Sequence, residues 1–417
     1  MKSNTIIKKG YKKTAVGVIP EEWEVKRLGE IGLPKMCKRI FKEQTNTNEG
    51  IPFYKIGTFG GVPDAFITKE LFDEYKERYS FPKKGDILIS AAGTIGRLVV
   101  YDGEPAYFQD SNIVWIDNNE ELISNKLLYY IYSIVRWQKT EGGIVSRLYN
   151  SDLKNVSLPI PPLPEQQAIA NCLTTWDSGI EKLTQLIAAK REQKKGLMQQ
   201  LLTGKKRLDG FVGEWKEVKI GKLGETFNGL TGKTKKDFGE GKPYVTYLNT
   251  FRQNCIDENT SFDYVKINDN ENQSTLKYGD LIFTTSSETP NEVGMSSVIL
   301  FHPKDSLYLN SFCFGLRLEN FETLHPSFAT FMLRGNDFRR EMYKLAQGST
   351  RFNLSKASFK KITVKLPPIE EQTAIAHILT TADKEIELLE KKLEAMKEEK
   401  KGLMQVLLTG KKRLIDS

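Results

Sequence analysis

The chain contains one stretch twice, and this duplication restricts the possible folds more than any other feature. Pro161–Leu208 aligns without a gap to Pro367–Leu414, so every residue has a counterpart 206 positions later (367 − 161 = 206). By direct count, 30 of the 48 aligned positions are identical. Identity of this extent at a fixed offset indicates an internal duplication. The chain is therefore built from two related halves.

Each copy has the spacing of a long amphipathic helix. Apolar residues recur at alternating steps of three and four, which is the pattern of a coiled-coil seam over about five heptads. Lys190, Lys194 and Lys400 interrupt it. Each helix should be roughly 40 residues, or about 60 Å, long. A long core helix would share part of this pattern, but the sustained seam favours a helix pair. The seam residues are Ile169, Leu173, Trp176, Ile180, Leu183, Ile187, Leu197 and Leu201, then Ile375, Leu379, Ala382, Ile386, Leu389, Leu393, Met396, Leu403 and Leu407.

Local signals mark the helix ends and constrain how the helices pair. Prolines and carboxylates open each copy, which suits a fixed φ and the positive end of the helix dipole. Gly204 and Gly410, each followed by cations, end the copies as C-cap residues. The linker 204–214 has 11 residues, and a linker of this length reaches at most roughly 36 Å. A parallel pair would force the second domain to span the whole rod. The sequence thus predicts an antiparallel coiled coil with a domain at each end and a pseudo-twofold axis.

A globular domain precedes each helix, and the two domains are also related. Trp23 and Leu28–Gly32 match Trp215 and Ile220–Gly224 at an offset of 192. We expect a first domain over 1–160, a helix over 161–204, a second domain over 205–366, and a second helix with its tail over 367–417.

The predicted fold class is α+β, with two mixed α/β domains joined by the two long helices. Short β-branched or aromatic runs bounded by turn residues predict strands, and helical spacing predicts one helix in each domain. The strands are Ile51–Ile56, Asp86–Ser90, Arg97–Tyr101 and Ile113–Ile116, then Pro243–Leu248, Leu281–Thr285, Ser297–Phe301 and Phe312–Leu318; the helices are Asn125–Trp137 and Pro326–Leu333.

Composition indicates a cytoplasmic protein with a polyanionic partner. The net charge is +8 and the pI is near 9.0, which is typical of proteins that bind nucleic acid. No segment has the length and apolar character of a membrane span, and the first residues lack the apolar run of a signal peptide. The cysteines have neither metal-binding nor redox spacing, so we expect reduced thiols. They are Cys37, Cys172, Cys255 and Cys313.

Several segments imitate catalytic motifs without completing them. Gly232-Lys233-Thr234 looks like the end of a phosphate loop, but Phe227 stands where that loop needs its first glycine. Asp64 and Glu74 fit a loose nuclease pattern, yet Lys69–Arg78 is mostly charged and predicts an exposed helix rather than a metal site. The three histidines are scattered, and no glycine-rich cofactor turn is evident. We therefore expect no catalytic residues, no metal and no cofactor on this chain.

Polar loops with glycine, hydroxyl groups and arginine remain as candidates for DNA contact. Freed backbone amides, hydroxyls and a guanidinium are what phosphate contact and base-edge reading need. The alternative is that these segments are ordinary turns with a solvated arginine. The candidate residues are Gly93, Thr94, Gly96, Arg97, Ser146, Arg147 and Asn150 in the first domain and Lys233, Ser286, Ser349, Thr350, Arg351 and Asn353 in the second.

The duplicated motifs resemble those of the specificity subunit of type I restriction-modification enzymes. The resemblance lies in the Pro-Pro-Leu-Pro-Glu-Gln-Gln and Pro-Pro-Ile-Glu-Glu-Gln openings, the shared ending Leu-Leu-Thr-Gly-Lys-Lys-Arg-Leu, and the domain–helix–domain–helix order. It implies two target recognition domains, each reading half of a bipartite double-stranded DNA sequence, and spacer helices that act as a ruler. It also implies two modification subunits that use S-adenosylmethionine, and restriction subunits that use ATP and Mg²⁺.

Two other functions stay open from the residues alone. The chain could be a self-sufficient nuclease or methyltransferase, although the incomplete motifs weigh against this. It could also be a coiled-coil scaffold, although two different basic domains weigh against that. Neighbouring genes for a methyltransferase and a helicase-nuclease would favour the specificity subunit.

Overall fold

The structure is a computed structural model that describes residues 7–137 and 147–414. The chain falls into two compact units. Unit 1 runs to Leu183 and also takes in the chain from Lys392 onward, and unit 2 comprises Thr184–Lys391. Each unit thus combines one mixed α/β domain with parts of both long helices. The finer domain boundaries stay a prediction.

Unit 1 carries the first domain. Its strands are β1 (Tyr11–Thr14), β2 (Gly17–Pro20), β3 (Glu24–Arg27), β4 (Gly32–Lys35), β5 (Ile51–Tyr54), β6 (Phe66–Ile67), β7 (Ile87–Ser90), β8 (Leu98–Val100), β9 (Tyr107–Phe108), β10 (Ile113–Asn118) and β11 (Ser157–Ile160). Its short helices are α1 (Leu28–Ile31), α2 (Lys69–Arg78), α3 (Asn125–Ile134) and α4 (Asn150–Asn155). The main sheet has the order β4-β10-β7-β8, and a smaller sheet has the order β6-β5-β9.

Unit 2 carries the second domain, after the long helix α5 (Leu163–Leu201). Its strands are β12 (Lys216–Lys219), β13 (Gly224–Asn228), β14 (Phe238–Val245), β15 (Cys255–Ile256), β16 (Asp263–Val265), β17 (Leu281–Thr284), β18 (Ser286–Ser287), β19 (Ser296–Ile299), β20 (Tyr308–Leu309), β21 (Cys313–Leu318), β22 (Phe352–Asn353) and β23 (Thr363–Leu366). Its helices are α6 (Tyr247–Arg252), α7 (Pro326–Met332), α8 (Asn336–Lys344) and α9 (Lys356–Phe359), followed by the long helix α10 (Ile369–Leu407). The main sheet has the order β13-β21-β17-β19-β15, and a smaller one has the order β16-β14-β20.

The central strand of each main sheet is buried on both faces. In β17, Leu281 and Phe283 belong to the core shared with the long helices, and Ile282 belongs to a second core. In β7, Ile89 and Leu88 divide between two cores in the same way. Because successive side chains of a strand point to opposite faces, a continuous apolar run is what such a position requires. The predicted duplication of the domains is confirmed.

In each domain, a strand near the start pairs with the last strand. β3 pairs antiparallel with β11 in unit 1, and β12 pairs antiparallel with β23 in unit 2. The long helix begins shortly after the last strand in each case. Each domain therefore joins its long helix through a two-stranded ribbon that holds both ends of the domain together.

The long helices have 39 residues each, close to the predicted length. Their seam residues are buried or half-buried; Ile169 and Leu173 are fully buried examples in unit 1, and Ile375 and Leu379 in unit 2. The apolar repeat was therefore a correct guide to the buried face.

The seam lysines have acidic partners, and these partners show the direction of pairing. Lys400 forms an ion pair with Asp177 in unit 1, and its counterpart Lys194 forms one with Asp383 in unit 2. In unit 1, Glu165 lies earlier than Asp177 in α5 and bonds Arg413, which lies later than Lys400. The helix segments within that unit therefore run antiparallel, as predicted.

A repeated Glu-Gln pair fixes the start of each long helix to its domain. Gln166 accepts a hydrogen bond from the N–H of Ser124 and donates to the carbonyls of Leu122 and Pro161. In unit 2, the counterpart of Gln166 makes the same set of contacts: Gln372 accepts from the N–H of His325 and donates to the carbonyls of Thr323 and Pro367. A buried amide with all these partners satisfied is stabilising, whereas an unsatisfied one is costly. This accounts for the glutamine in both copies of the motif.

The predicted C-cap glycines end both helices. Gly204 has φ +69° and Gly410 has φ +68°, a region that glycine enters without strain. Two residues later, the N–H of Lys206 donates to the carbonyl of Gln200, and the N–H of Lys412 donates to that of Val406. These bonds satisfy carbonyls that would otherwise lack partners at the helix end.

Candidate nucleic-acid interface

Two candidate loops of the first domain, far apart in sequence, meet in the structure. Ala92 and Arg147 form an isolated antiparallel bridge, and the N–H of Leu148 donates to the carbonyl of Ala91 over 2.9 Å. The segment 91–97 and the segment 147–150 thus form one surface, which we call the paired-loop surface of domain 1.

The second domain repeats this arrangement with different side chains. Ser286 pairs with Asn353, and the N–H of Leu354 donates to the carbonyl of Thr285 over 2.9 Å. The segments 285–289 and 347–353 form the paired-loop surface of domain 2. Within each domain the structure therefore brings together the loops that the sequence had marked as candidates.

In domain 1, hydrogen bonds hold the first loop in a closed turn. The Ser90 hydroxyl donates to the carbonyl of Thr94 over 2.5 Å and accepts from the N–H of Arg97 over 2.8 Å. Gly96 has φ +84°, and a Cβ there would lie 2.3 Å from Cδ1 of Trp137. Glycine is therefore required at this position. Thr94 and Gly93 stay exposed at the tip of the turn.

Backbone carbonyls orient both candidate arginines of domain 1. Arg97 donates from Nη1 to the carbonyl of Phe59 over 2.7 Å. Arg147 donates from Nη2 to the carbonyl of Ser111 over 2.6 Å. Each guanidinium keeps further donors for a ligand, since a guanidinium carries five N–H groups. Asn150 is exposed at the start of α4, whereas the predicted Ser146 lies outside the described residues.

In domain 2, the second loop presents an exposed polar run. Ser349, Thr350 and Arg351 are all exposed. Asn353 is also exposed, and its Nδ2 donates to the carbonyl of Arg351 over 3.3 Å. Ser286 differs from these residues because it is buried, with its carbonyl accepting from the Tyr247 hydroxyl over 2.8 Å. Ser286 thus holds the loop in place through its backbone and does not present its side chain at the surface.

Lys233 lies elsewhere in domain 2 and already has an acidic partner. Its Nζ is 2.5 Å from Oε2 of Glu271, and only 3% of its side chain is exposed. The hydrogen bond from Lys233 lowers the pKa of Glu271 to about 2. Gln273, which donates to Glu271 and accepts from the N–H of Thr231, completes the cluster. The contacts of Lys233 thus join two loops of the protein to each other.

One prominent residue of the domain 2 surface is not among the predicted DNA-contact residues. Phe312 is 54% exposed, and the guanidinium of Arg351 lies 5.7 Å from its ring centroid. The apolar run Phe312–Leu318 predicts a strand that starts at this residue, but β21 begins at Cys313. An aromatic residue directly after Asn310-Ser311, which favour turns, was the signal that could have identified it.

The carboxylates of the nuclease-like segment do not converge. Asp64 is 2.9 Å from Nζ of Lys55, and Glu74 is 2.5 Å from Nη1 of Arg78 on the helix α2. Over residues 7–137 and 147–414, no group of His, Cys, Asp and Glu has the arrangement of a metal site. Among the helices in that part of the chain, none is both long and apolar enough to cross a bilayer.

Comparison with known proteins places the chain among DNA-specificity proteins. A family model described as the type I restriction modification DNA specificity domain matches residues 20–191 and again 213–398. The chain is 55% identical over 175 residues to a putative type I restriction enzyme specificity subunit of Haemophilus influenzae, which covers 42% of this chain and 46% of that protein. The chain thus matches less than half the length of that relative.

A second relative matches over nearly its full length. The putative type I restriction enzyme MjaX specificity subunit of Methanocaldococcus jannaschii is 26% identical over 436 residues, with 97% of each chain covered. Among solved structures, the S subunit of a type I restriction-modification system from M. genitalium has a TM-score of 0.53. It is 17% identical and covers 92% of this chain and 96% of that one, so this likeness shows the fold alone.

The family model matches twice, and each match includes most of one mixed domain together with most of the long helix that follows it. The internal duplication, the repeated paired-loop surface and the comparisons agree: the chain belongs to the family of type I restriction-modification DNA specificity domains.

Proposed function

We propose that this chain is the DNA-recognition subunit of a type I restriction-modification complex. Each domain reads one half of a bipartite double-stranded target through its paired-loop surface. The observation that carries this proposal is the common backbone bridge, Ala92 to Arg147 in domain 1 and Ser286 to Asn353 in domain 2. One scaffold used twice suits a target of two parts.

The side chains on the two surfaces differ, so the two half-sites should differ as well. Domain 1 presents Thr94, Arg97 and Arg147, whereas domain 2 presents Thr350 and Arg351. Bases are distinguished by hydrogen bonds and apolar contacts to their edges. An asymmetric target follows from two different sets of such groups.

The long helices set the distance between the half-sites and bind two modification subunits. Open space beside both helices supports this role: apart from its chain neighbours and the backbone of its own helix, a Cβ built at Gly196 or at Gly402 has no atom within 4 Å. S-adenosylmethionine belongs to the modification subunits, and ATP and Mg²⁺ belong to restriction subunits that join them. We place the assembly in the cytoplasm, where chromosomal and incoming DNA are accessible.

Methylome sequencing of cells that produce this chain with its modification subunits tests the proposal. We expect a single asymmetric bipartite target. Arg147→Ala should relax base preference in one half only, and Arg351→Ala in the other half only. Arg340→Ala serves as the control, because Arg340 is an exposed arginine on α8 that pairs with Asp337. Relaxation of the same half by both loop variants would contradict the proposal.

The purified chain alone separates a recognition subunit from a self-sufficient enzyme. Incubated with S-adenosylmethionine and target DNA, it should transfer no methyl label, and label transfer should begin when modification subunits are added. Methyl transfer by the lone chain, or DNA cleavage on addition of Mg²⁺, would contradict this assignment.

A further inference from the structure

Phe312 projects from a rigid turn beside the paired-loop surface of domain 2. Its N–H donates to Oδ1 of Asn310 over 2.9 Å, and its carbonyl accepts from the N–H of Thr285 over 2.8 Å. Thr285 is the residue directly before Ser286, which forms the bridge to Asn353. The backbone of Phe312 is thus fixed on both sides while 54% of the residue is exposed.

The same place in domain 1 holds a polar residue. There the carbonyl of Asn112 accepts from the N–H of Ala91 over 2.7 Å, just as that of Phe312 accepts from Thr285. Asn112 is half-buried and can offer an amide to a base edge. The two domains therefore differ at this position between a hydrogen-bonding side chain and an apolar one.

Arg351 covers one face of the Phe312 ring. Its guanidinium carbon lies 5.7 Å from the ring centroid, within the range of a cation–π contact. An aromatic ring that inserts fully between two base pairs stacks a base on each of its faces. With one face occupied, Phe312 retains one face and its edge. That geometry suits contact with a single apolar group in a groove.

In the major groove of DNA, the apolar group is the 5-methyl of thymine. We propose that Phe312 contacts the methyl group of one thymine in the half-site that domain 2 reads, while Arg351 orients the ring. This inference rests on the proposed function and specifies one base contact of domain 2.

The test uses the full chain assembled with its modification subunits and the target found by methylome sequencing. The half-site in which Arg351→Ala relaxes the base preference is assigned to domain 2. Each thymine of that half is then replaced singly by deoxyuridine, which removes only the methyl group. One replacement should weaken binding about fourfold, as expected for loss of one buried methyl. The other replacements should have little effect.

Phe312→Ala should weaken binding of the thymine duplex about tenfold and abolish the difference between thymine and deoxyuridine at that position. Phe312→Leu should keep part of the difference. Phe321→Ala is the matched control, since Phe321 is 39% exposed but follows the other end of β21. It should leave the thymine preference intact.

Three outcomes overturn the inference: no thymine of that half is sensitive to deoxyuridine, Phe312→Ala keeps the sensitivity, or Phe321→Ala also loses it. Increased 2-aminopurine fluorescence at one step of that half, lost in Phe312→Ala, would indicate a wedge and would equally overturn it. These results leave the proposed function standing. That function fails separately if the unsubstituted complex does not distinguish its target from a scrambled duplex.

Discussion

Arg413, which follows the second long helix, donates from Nε to Oε1 of Glu165 near the start of the first, over 2.6 Å. Only 2% of the Glu165 side chain is exposed, and its Oε2 accepts from Nε1 of Trp23. Arg413→Ala leaves this buried carboxylate with the indole alone. We expect a loss of about 1.5–3 kcal/mol in the stability of unit 1, the range for hydrogen bonds to charged groups.

Hydrogen exchange resolved by peptide measures this effect, because the two units need not unfold together. Protection should fall in unit 1 and stay unchanged in unit 2. Lys411→Ala, a neighbouring exposed lysine, should change neither. An equal loss of protection in both units would contradict a local role for Arg413.

The equivalent change in unit 2 should cost more. Arg207 donates to both carboxylate oxygens of Glu371, whereas Nε1 of Trp215, the counterpart of Trp23, is buried without a hydrogen-bond partner. Trp215 therefore gives Glu371 no hydrogen bond. Arg207→Ala removes both of the hydrogen bonds that Glu371 receives from these two side chains. Adding Glu371→Gln should restore part of the protection, because an uncharged amide is less costly to bury. A smaller effect than that of Arg413→Ala, measured by the same exchange experiment, would refute this comparison.

Low pH should destabilise the loop that contains Glu271. Its pKa is lowered to about 2, mainly by the hydrogen bond from Lys233, whereas an unperturbed glutamate has a pKa of about 4.3. A depressed carboxylate pKa stabilises the fold above the unfolded-state pKa, and this contribution is lost as pH falls from about 4.3 to about 2. Carbon-13 NMR titration of Glu271 checks the value. Lys233→Met should raise it toward 4.3; an unchanged pKa in that variant would disprove the assigned cause.

Substitutions at Gly196 and Gly402 should affect the stability of the chain and its assembly with modification subunits differently. Both glycines lie within long helices, and apart from chain neighbours and the backbone of its own helix, a Cβ built at either position has no atom within 4 Å. Alanine there should stabilise the isolated chain by up to about 1 kcal/mol per site, because glycine disfavours helix by that amount. Leucine or tryptophan should leave the chain folded but weaken binding of modification subunits, measured by sedimentation. Unimpaired assembly would show that no partner approaches these glycines closely.

A heptad inserted after Leu186 and another after Lys392 should alter the spacer of the target. One heptad preserves the seam and adds about 10 Å at 1.5 Å per residue. At about 3.4 Å per base pair, this corresponds to nearly three pairs. The half-site sequences should persist while the spacer grows, or binding should collapse because the duplex also rotates by about a third of a turn. An unchanged spacer with full activity in methylome sequencing would exclude a ruler role.

Regular elements of this fold were predictable because their patterns are local. The predicted strand Leu281–Thr285 corresponds to β17, which ends one residue earlier, and the predicted helix Asn125–Trp137 corresponds to α3, which ends at Ile134. One predicted strand, Pro243–Leu248, was partly wrong: β14 ends at Val245 and the helix α6 follows. The Thr246 hydroxyl accepts from the N–H of Asn249, and Asn249 accepts from the N–H of Thr246. This reciprocal cap outweighs the β-propensity of the segment.

The candidate site was predictable only as separate loops. Glycine and polar composition marked the segments near Thr94 and Arg351, but the bridge from Ala92 to Arg147 joins residues far apart in sequence, and no local pattern encodes it. The role of Phe312 was hidden for a related reason. An aromatic residue next to a buried strand has the composition of a core residue, and only the turn that precedes β21 leaves it exposed.

Antiparallel pairing of Lys216–Lys219 with Thr363–Leu366, and of Glu24–Arg27 with Ser157–Ile160, brings the entry and exit of each recognition domain side by side. A different domain sequence can be inserted between the two strands of this ribbon. If it connects to both strands, the long helix begins as before. Homologous recombination between genes that share the ribbon and helix sequences could therefore exchange a domain as a cassette. New DNA targets would then arise in one genetic step, without any change in the long helices.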